Sequence, residues 1–141
     1  MRETPHRVRP RPWRGPDGFV APMLASTDVP PAAQAGLIYE PKYDGMRVIV
    51  ELEPPDGPKA APRVRICSRN GHEKSAQFPA VSDALAELAT RLGQPVLLDG
   101  ELVAISPKGV PLGFQQIQGR ISLTGAAEIA RAEKDQPAAV I

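Results

Sequence analysis

The pattern of apolar and polar positions predicts three β-strands in the middle of the chain. Residues 47–52 (R-V-I-V-E-L) and 63–68 (R-V-R-I-C-S) each place apolar side chains at every second position, which is the period of a strand with one buried face. The Pro- and Gly-rich residues 53–62 favour an antiparallel hairpin with a long loop between these strands. Residues 96–105 are apolar at odd and even positions alike, which predicts a central strand covered on both faces.

A helical period follows the hairpin. Apolar residues spaced by three and four positions form one stripe: Phe78, Val81, Leu85, Leu88 and Leu92. Pro79 suits the first helical turn and Gly93 suits the position after the last one. Shorter helices are expected at 114–119 and 125–134, a turn at 106–109, and the start of a further strand at 138. These elements predict an α+β fold in which antiparallel strands pack with helices.

The composition is that of a folded domain with a basic N-terminal arm. The 141 residues are 42% hydrophobic and 23% charged, with a net charge of +1, which excludes a polycation that holds nucleic acid by bulk charge alone. Residues 1–18 carry five arginines, four prolines and two acidic residues. We expect this arm to be disordered, as a solvated tail, the end of a linker, or a segment that contacts a phosphate backbone.

Cysteine usage and hydropathy predict a cytoplasmic protein. The single cysteine, Cys67, excludes an internal disulfide and suits a reducing compartment. No apolar run approaches the roughly 20 residues of a membrane span, and the Arg-rich start lacks the apolar segment of a signal peptide. No membrane partner is therefore expected.

The main chemical signal is E-P-K-Y-D-G-M-R at residues 40–47. A lone lysine beside a strand is usually a solvated cation. Here Asp44 and Gly45 favour a tight turn next to Lys42, because glycine adopts backbone conformations closed to other residues. Arg47 adds a forked cation suited to phosphates or hydroxyls, and a neighbouring cation favours the neutral, nucleophilic amine. Lys42 is therefore a candidate nucleophile.

Two further motifs carry charged side chains. In L-D-G-E-L-V-A, residues 98–104, strand geometry puts Asp99 and Glu101 on one face, which is costly without a cationic partner or a metal. Mg²⁺ prefers such carboxylate oxygens, whereas the simpler interpretation is a turn before an ordinary strand. In S-R-N-G, residues 68–71, a reversal after the second strand would let Arg69 reach the same pocket as Arg47.

These motifs together resemble those of ATP-dependent DNA ligases. K-Y-D-G-M-R resembles the nucleophile motif of the covalent nucleotidyltransferase superfamily, which also holds mRNA capping enzymes, and the other two resemble the next two ligase motifs in order. P-M-L-A at 22–25, F-P at 78–79 and F-Q-Q-I-Q-G-R-I at 114–121 are most similar to the ligase domain of bacterial end-joining ligases. The resemblance covers residues 19–141 and disfavours a GTP-using capping enzyme.

The resemblance implies a fold, a reaction and a set of roles. The fold would be a nucleotidyltransferase (ATP-grasp-like) adenylation domain that uses ATP and Mg²⁺ to seal nicks in duplex DNA during repair and recombination. Lys42 would form the lysyl-AMP intermediate, and Glu40 would accept the adenine amino group. Arg47 and Arg69 would hold the ribose and phosphates, and Glu101 would bind the ribose hydroxyl or the metal.

The sequence also departs from the family pattern. Ligases carry later motifs that are absent from residues 1–141: an aromatic residue that stacks on adenine, an acidic strand, a K-x-K motif and an oligonucleotide-binding domain. The expectation is therefore the N-terminal part of an adenylation domain, poorly active alone, with remaining ligase segments or end-joining proteins as further partners. The alternative is a non-catalytic ligase remnant or a nucleotide-binding fragment.

Overall fold

A four-stranded antiparallel sheet organises the part of the chain that the computed structural model describes, residues 18–24 and 35–141. Its strand order is β2–β1–β3–β4, and the strands are β1 (Met46–Glu53), β2 (Arg63–Ser68), β3 (Val96–Ala104) and β4 (Ala138–Val140). The helices are α1 (Pro79–Leu92), α2 (Phe114–Gln118) and α3 (Ala126–Asp135), with a 3-10 turn at Ser75–Gln77. The predicted α+β fold is confirmed. Of the predicted arm, only Gly18 lies within the described residues.

The predicted hairpin forms as expected. In the antiparallel register of β1 and β2, Val50 pairs with Ile66 and Leu52 pairs with Val64, so the alternating apolar positions share one face. Val50, Leu52 and Ile66 are fully buried on that face. The connection 54–62 stays largely exposed, as its proline and glycine content predicts.

Helix α1 covers this face of the sheet and completes the core. Phe78, Val81, Leu85 and Ala89 are buried and belong to the same cluster as the apolar face of the hairpin. The predicted stripe is wrong at its last member, because Leu92 is 41% exposed. The helix ends at Leu92 and is capped by Gly93, whose φ of 63° is left-handed, so Leu92 lies at the helix terminus.

Strand β3 is central in the sheet but is covered on both faces only at its C-terminal end. Residues 102–104 are buried, whereas residues 96–98 are half-buried and Asp99 is exposed. The prediction of a fully covered strand was therefore wrong for its first half. The physical reason is that only one face of this half packs on the apolar core, through Val96 and Leu98, whereas the opposite face carries the exposed Asp99.

The remaining short elements confirm their predictions. Helices α2 and α3 and strand β4 lie within a residue or two of the expected positions. At 106–109 the Gly109 amide donates to the Ser106 carbonyl over 2.8 Å. None of the helices in the described residues is both long and apolar enough to cross a bilayer.

Candidate active site

Lys42 lies on an exposed loop that leads into β1. Hydrogen bonds fix this loop at the end that adjoins β1. Lys42 and Glu40 are both exposed. The Gly45 amide donates to Glu101 Oε1 over 3.0 Å, and Asp44 Oδ2 accepts from the Phe114 amide over 3.1 Å. Two adjacent residues of the loop are therefore attached to β3 and to α2, which leaves the Lys42 amine facing outward from a supported backbone.

Gly45 is required at its position by close packing. A Cβ atom there would lie 2.3 Å from the Leu102 carbonyl oxygen and 2.7 Å from Val103 Cγ1. The expectation that Gly45 supplies an unusual backbone turn is wrong, because it is not among the glycines with positive φ. Its missing side chain instead lets the loop lie directly against β3.

Arg47 is held by Asp99 rather than left free. Its Nε donates to Asp99 Oδ1 over 2.9 Å and its Nη2 donates to Asp99 Oδ2 over 2.7 Å, which is the bidentate geometry that suits a guanidinium. Its Nη1 donates to the Met23 carbonyl over 2.7 Å. The hydrogen bond from Arg47 lowers the pKa of Asp99, and the same bond raises the pKa of Arg47.

The two carboxylates of the L-D-G-E-L-V-A motif, Asp99 and Glu101, share one face with Arg47, as strand geometry predicts. Glu101 is the register partner of Arg47 across β1 and β3. Arg47 is thus a cationic partner for this face. In the described ranges no cluster of three or more His, Cys, Asp or Glu side chains is arranged to hold a metal. Glu101 Oε1 accepts the Gly45 amide, so a divalent cation held there would need phosphate or water oxygens as further ligands.

Arg69 is not in contact with this cluster. It is exposed on the turn after β2, and because Val48 pairs with Ser68, continuation of the register places Arg69 opposite Arg47 at the same end of the sheet. The turn is closed by Gly71, whose amide donates to the Ser68 carbonyl over 2.8 Å. Arg69 therefore lies at the same end of the sheet as Arg47, and its part in the site stays a prediction.

Sequence reasoning missed one buried charged side chain, Arg120. It is 1% exposed and follows Ile117 by three positions, so both lie on one side of the α2 segment. That spacing after a buried aliphatic residue was the available signal. The partners of Arg120 come from distant segments, which local periodicity does not report.

Comparison with known proteins identifies the family. The family model of the ATP dependent DNA ligase domain matches residues 22–141 of this chain. The chain therefore belongs to the ATP-dependent DNA ligase domain family. A multifunctional non-homologous end joining protein LigD from Mycolicibacterium smegmatis is 34% identical over 84% of this chain and 14% of its own length. The LigD protein of Pseudomonas aeruginosa is 39% identical over 71% of this chain and 10% of its own length.

Other relatives carry ligase names as well. DNA ligase C1 of Mycolicibacterium smegmatis is 36% identical over 74% of this chain and 25% of its own length. The crystal structure of the ligase domain of M. tuberculosis LigD matches 72% of this chain and 26% of that chain, with 30% identity and a TM-score of 0.45. The chain thus spans a quarter or less of these curated relatives, and the sequence-based assignment to the ligase family is confirmed.

Proposed function

We propose that this chain takes part in ATP-dependent DNA ligation and supplies the lysine that carries AMP. The observation that carries the proposal is the ligase family match over residues 22–141, together with the exposed Lys42 on a loop fixed at Asp44 and Gly45. A nucleophile on a supported loop loses little conformational freedom when the reaction begins, which favours attack.

The chemistry begins at the Lys42 amine in its neutral form. Nζ attacks the α-phosphorus of ATP, a bond from nitrogen to phosphorus forms, and the bond from the α-phosphorus to the bridging oxygen breaks. Pyrophosphate leaves and the amine gives up a proton, so the lysine carries AMP as a phosphoramidate. AMP then passes to the 5′-phosphate at a nick, and the 3′-hydroxyl displaces it to join the strand.

The remaining site residues receive roles that suit their positions. Glu40, two residues before the nucleophile, is proposed to accept the adenine amino group. Arg47 and Arg69 lie at one end of the sheet and are proposed to hold the ribose and phosphates. The exposed Arg69 can offer its fork with two parallel bonds, whereas Arg47, whose Nε and Nη2 donate to Asp99, would use its remaining N–H donors. Glu101 is proposed to bind the ribose hydroxyl or Mg²⁺. When bound, Mg²⁺ neutralises charge on the phosphates.

Substrates and setting follow from the same proposal. Nicked duplex DNA and ATP are the proposed substrates, in repair and recombination, and other ligase segments or end-joining proteins are the proposed partners. The setting would be the bacterial cytoplasm and nucleoid, where the DNA substrate lies. The fold would be that of a nucleotidyltransferase with an ATP-grasp-like architecture, which is compatible with the antiparallel sheet.

The first prediction tests the first chemical step. The purified chain is incubated with Mg²⁺ and ATP labelled on the α-phosphate, and protein-bound label is measured on a denaturing gel. We expect weak label on the wild-type chain, because the later ligase motifs are absent from these residues, and none on Lys42→Ala, because no other amine occupies the end of the supported loop. Lys59→Ala, an exposed lysine on the hairpin loop, serves as the matched control and should label like the wild type.

Two labelling results would contradict this prediction. Label that persists in Lys42→Ala would assign the nucleophile to another residue. An unlabelled wild-type chain, under conditions in which a full-length ligase relative labels, would show that this chain does not perform the step and would favour the non-catalytic alternative.

A further inference from the structure

Arg120 is a buried cation that joins three separate segments of the fold. Its Nη2 donates to the Gln77 carbonyl over 3.0 Å and to Glu133 Oε2 over 2.8 Å, and its Nη1 donates to the Gln136 carbonyl. The guanidinium lies over the Phe78 ring, with 4.6 Å from Cζ to the ring centroid. The start of α1, the end of α2 and the end of α3 therefore meet at one side chain.

Such a side chain is an expensive way to fill a core. A buried charge loses its hydration, and well-packed apolar residues of similar volume often stabilise a fold as well or better. Arg120 Nε is buried without a hydrogen-bond partner, which adds to the cost. What the guanidinium provides and an apolar side chain does not is a fixed, forked set of donors that aligns several backbone segments at once.

Helix α2 connects Arg120 to the loop that carries Lys42. The Arg120 amide donates to the Ile117 carbonyl over 2.9 Å, which joins the residue that bears the guanidinium to the C-terminal end of this five-residue helix. At the other end, the Phe114 amide donates to Asp44 Oδ2. Gly113 leaves room for this carboxylate, since a Cβ atom there would lie 3.2 Å from Asp44 Oδ2.

The second path runs through β4. Arg120 holds the Gln136 carbonyl, and the next carbonyl, that of Pro137, accepts the Ile105 amide over 2.7 Å. Strand β4 then continues along β3, where Glu101 and Ile141 exchange backbone hydrogen bonds of 2.8 and 3.0 Å. Glu101 in turn accepts the Gly45 amide. Both paths thus end on adjacent residues of the loop that carries Lys42.

We propose that Arg120 is a positioning residue that sets the nucleophile loop by aligning α2 and β4 against it. Its effect on the loop stands on the contacts above, whereas its consequence for catalysis rests on the proposed function. Arg120 acts through Asp44 and Gly45 and has no contact with the reacting lysine in the described residues.

The test is amide hydrogen exchange of the whole chain, measured by NMR without ATP. In Arg120→Met we expect the Gly45 and Phe114 amides to exchange about tenfold faster or more, beyond any acceleration of the β1 amides, because the loop then opens locally. Leu85→Ala is the matched control, since it removes buried volume from α1 and should accelerate the β1 amides most. Arg120→Lys keeps the charge without the fork and should give an intermediate effect, and it decides the test if Arg120→Met does not fold.

The outcomes separate this proposal from the ligase function. The positioning role would be overturned if amide exchange accelerated equally in the loop and in β1, or did not accelerate in the loop. Arg120 would then be a general stabilising residue. Lysyl-AMP formation is measured alongside, with an expected fall in the maximal rate and little change in the KM for ATP. A wild-type chain that fails to label would refute the proposed function, while the exchange result would still decide the role of Arg120.

Discussion

Gly45 shows how a single missing side chain positions a candidate catalytic loop. The site of its absent Cβ is occupied by the backbone of β3, with the Leu102 carbonyl oxygen at 2.3 Å. Backbone atoms of a central strand do not move aside as the end of a flexible side chain does. The loop carrying Lys42 therefore reaches its place against β3 only with glycine at this position.

Gly45→Ala should accordingly be costly. We expect the free energy of unfolding to fall by about 1–3 kcal/mol or more, as for overpacking in a dense core, because either the loop or β3 must shift. The measurement is urea denaturation followed by circular dichroism. Gly119→Ala is the matched control, because a Cβ there meets nothing within 4 Å and the φ of Gly119 is −62°. Equal effects of the two changes would contradict the steric argument.

At the scale of elements, the Arg47–Asp99 pair ties β1 to β3 at the end of the sheet where the candidate site lies. The pair is bidentate, yet its side chains are 34% and 48% exposed, so water screens much of the attraction. Exposed pairs of this kind contribute about 0.2–1 kcal/mol. The pair therefore orients the guanidinium more than it stabilises the sheet.

The lowered pKa of Asp99 gives this pair a defined pH dependence. A carboxylate whose pKa is lower in the folded state adds stability above its usual pKa, near 4, and that stability is lost as the pH falls through the folded value. Asp99→Asn should thus melt slightly below the wild type at pH 7, and the difference should be lost as the pH falls below the lowered pKa of Asp99. Thermal melts from pH 7 down into the acid range measure the difference in melting temperature. Asp83→Asn, at an exposed position of α1, serves as the control. A difference that persists at low pH would contradict the ion-pair origin.

Some elements of this fold can be predicted from the sequence and others cannot. Strands β1 and β2 and helix α1 follow from apolar periods, because a local repeat determines which face is buried. The burial of β3 and Leu92 did not follow, since both depend on where neighbouring elements end. The Asp44–Phe114 hydrogen bond spans 70 positions in the chain, and no local pattern encodes such a contact.

At the scale of the whole molecule, the sheet has two differently used faces. One face packs against α1 in the apolar core. The other carries Arg47, Asp99 and Glu101 toward the site, and on the same face Ile49 and Cys67 are register partners that are 3% and 1% exposed. Cys67 is therefore a packing residue on this face of the sheet. The two faces belong to the same strands. A substitution that weakens the core under α1 should therefore also increase exposure of Cys67.

Labelling of the Cys67 thiol measures that coupling, because it is the single cysteine of the chain. In the native state we expect reaction with a thiol reagent only through unfolding. Leu85→Ala, which empties part of the core under α1, should cost about 2–5 kcal/mol. If the sheet opens as one unit, the labelling rate should then rise by at least about thirtyfold, since each 1.4 kcal/mol is tenfold.

Leu92→Ala provides the comparison on the same helix, because Leu92 is 41% exposed and its truncation should leave the labelling rate near that of the wild type. A large acceleration in Leu85→Ala alone would mean that the face bearing the candidate site has the stability of the whole core. Equal labelling in both variants would mean instead that β2, at the edge of the sheet, opens by itself. In that case the turn carrying Arg69, which directly follows β2, would move independently of the loop carrying Lys42.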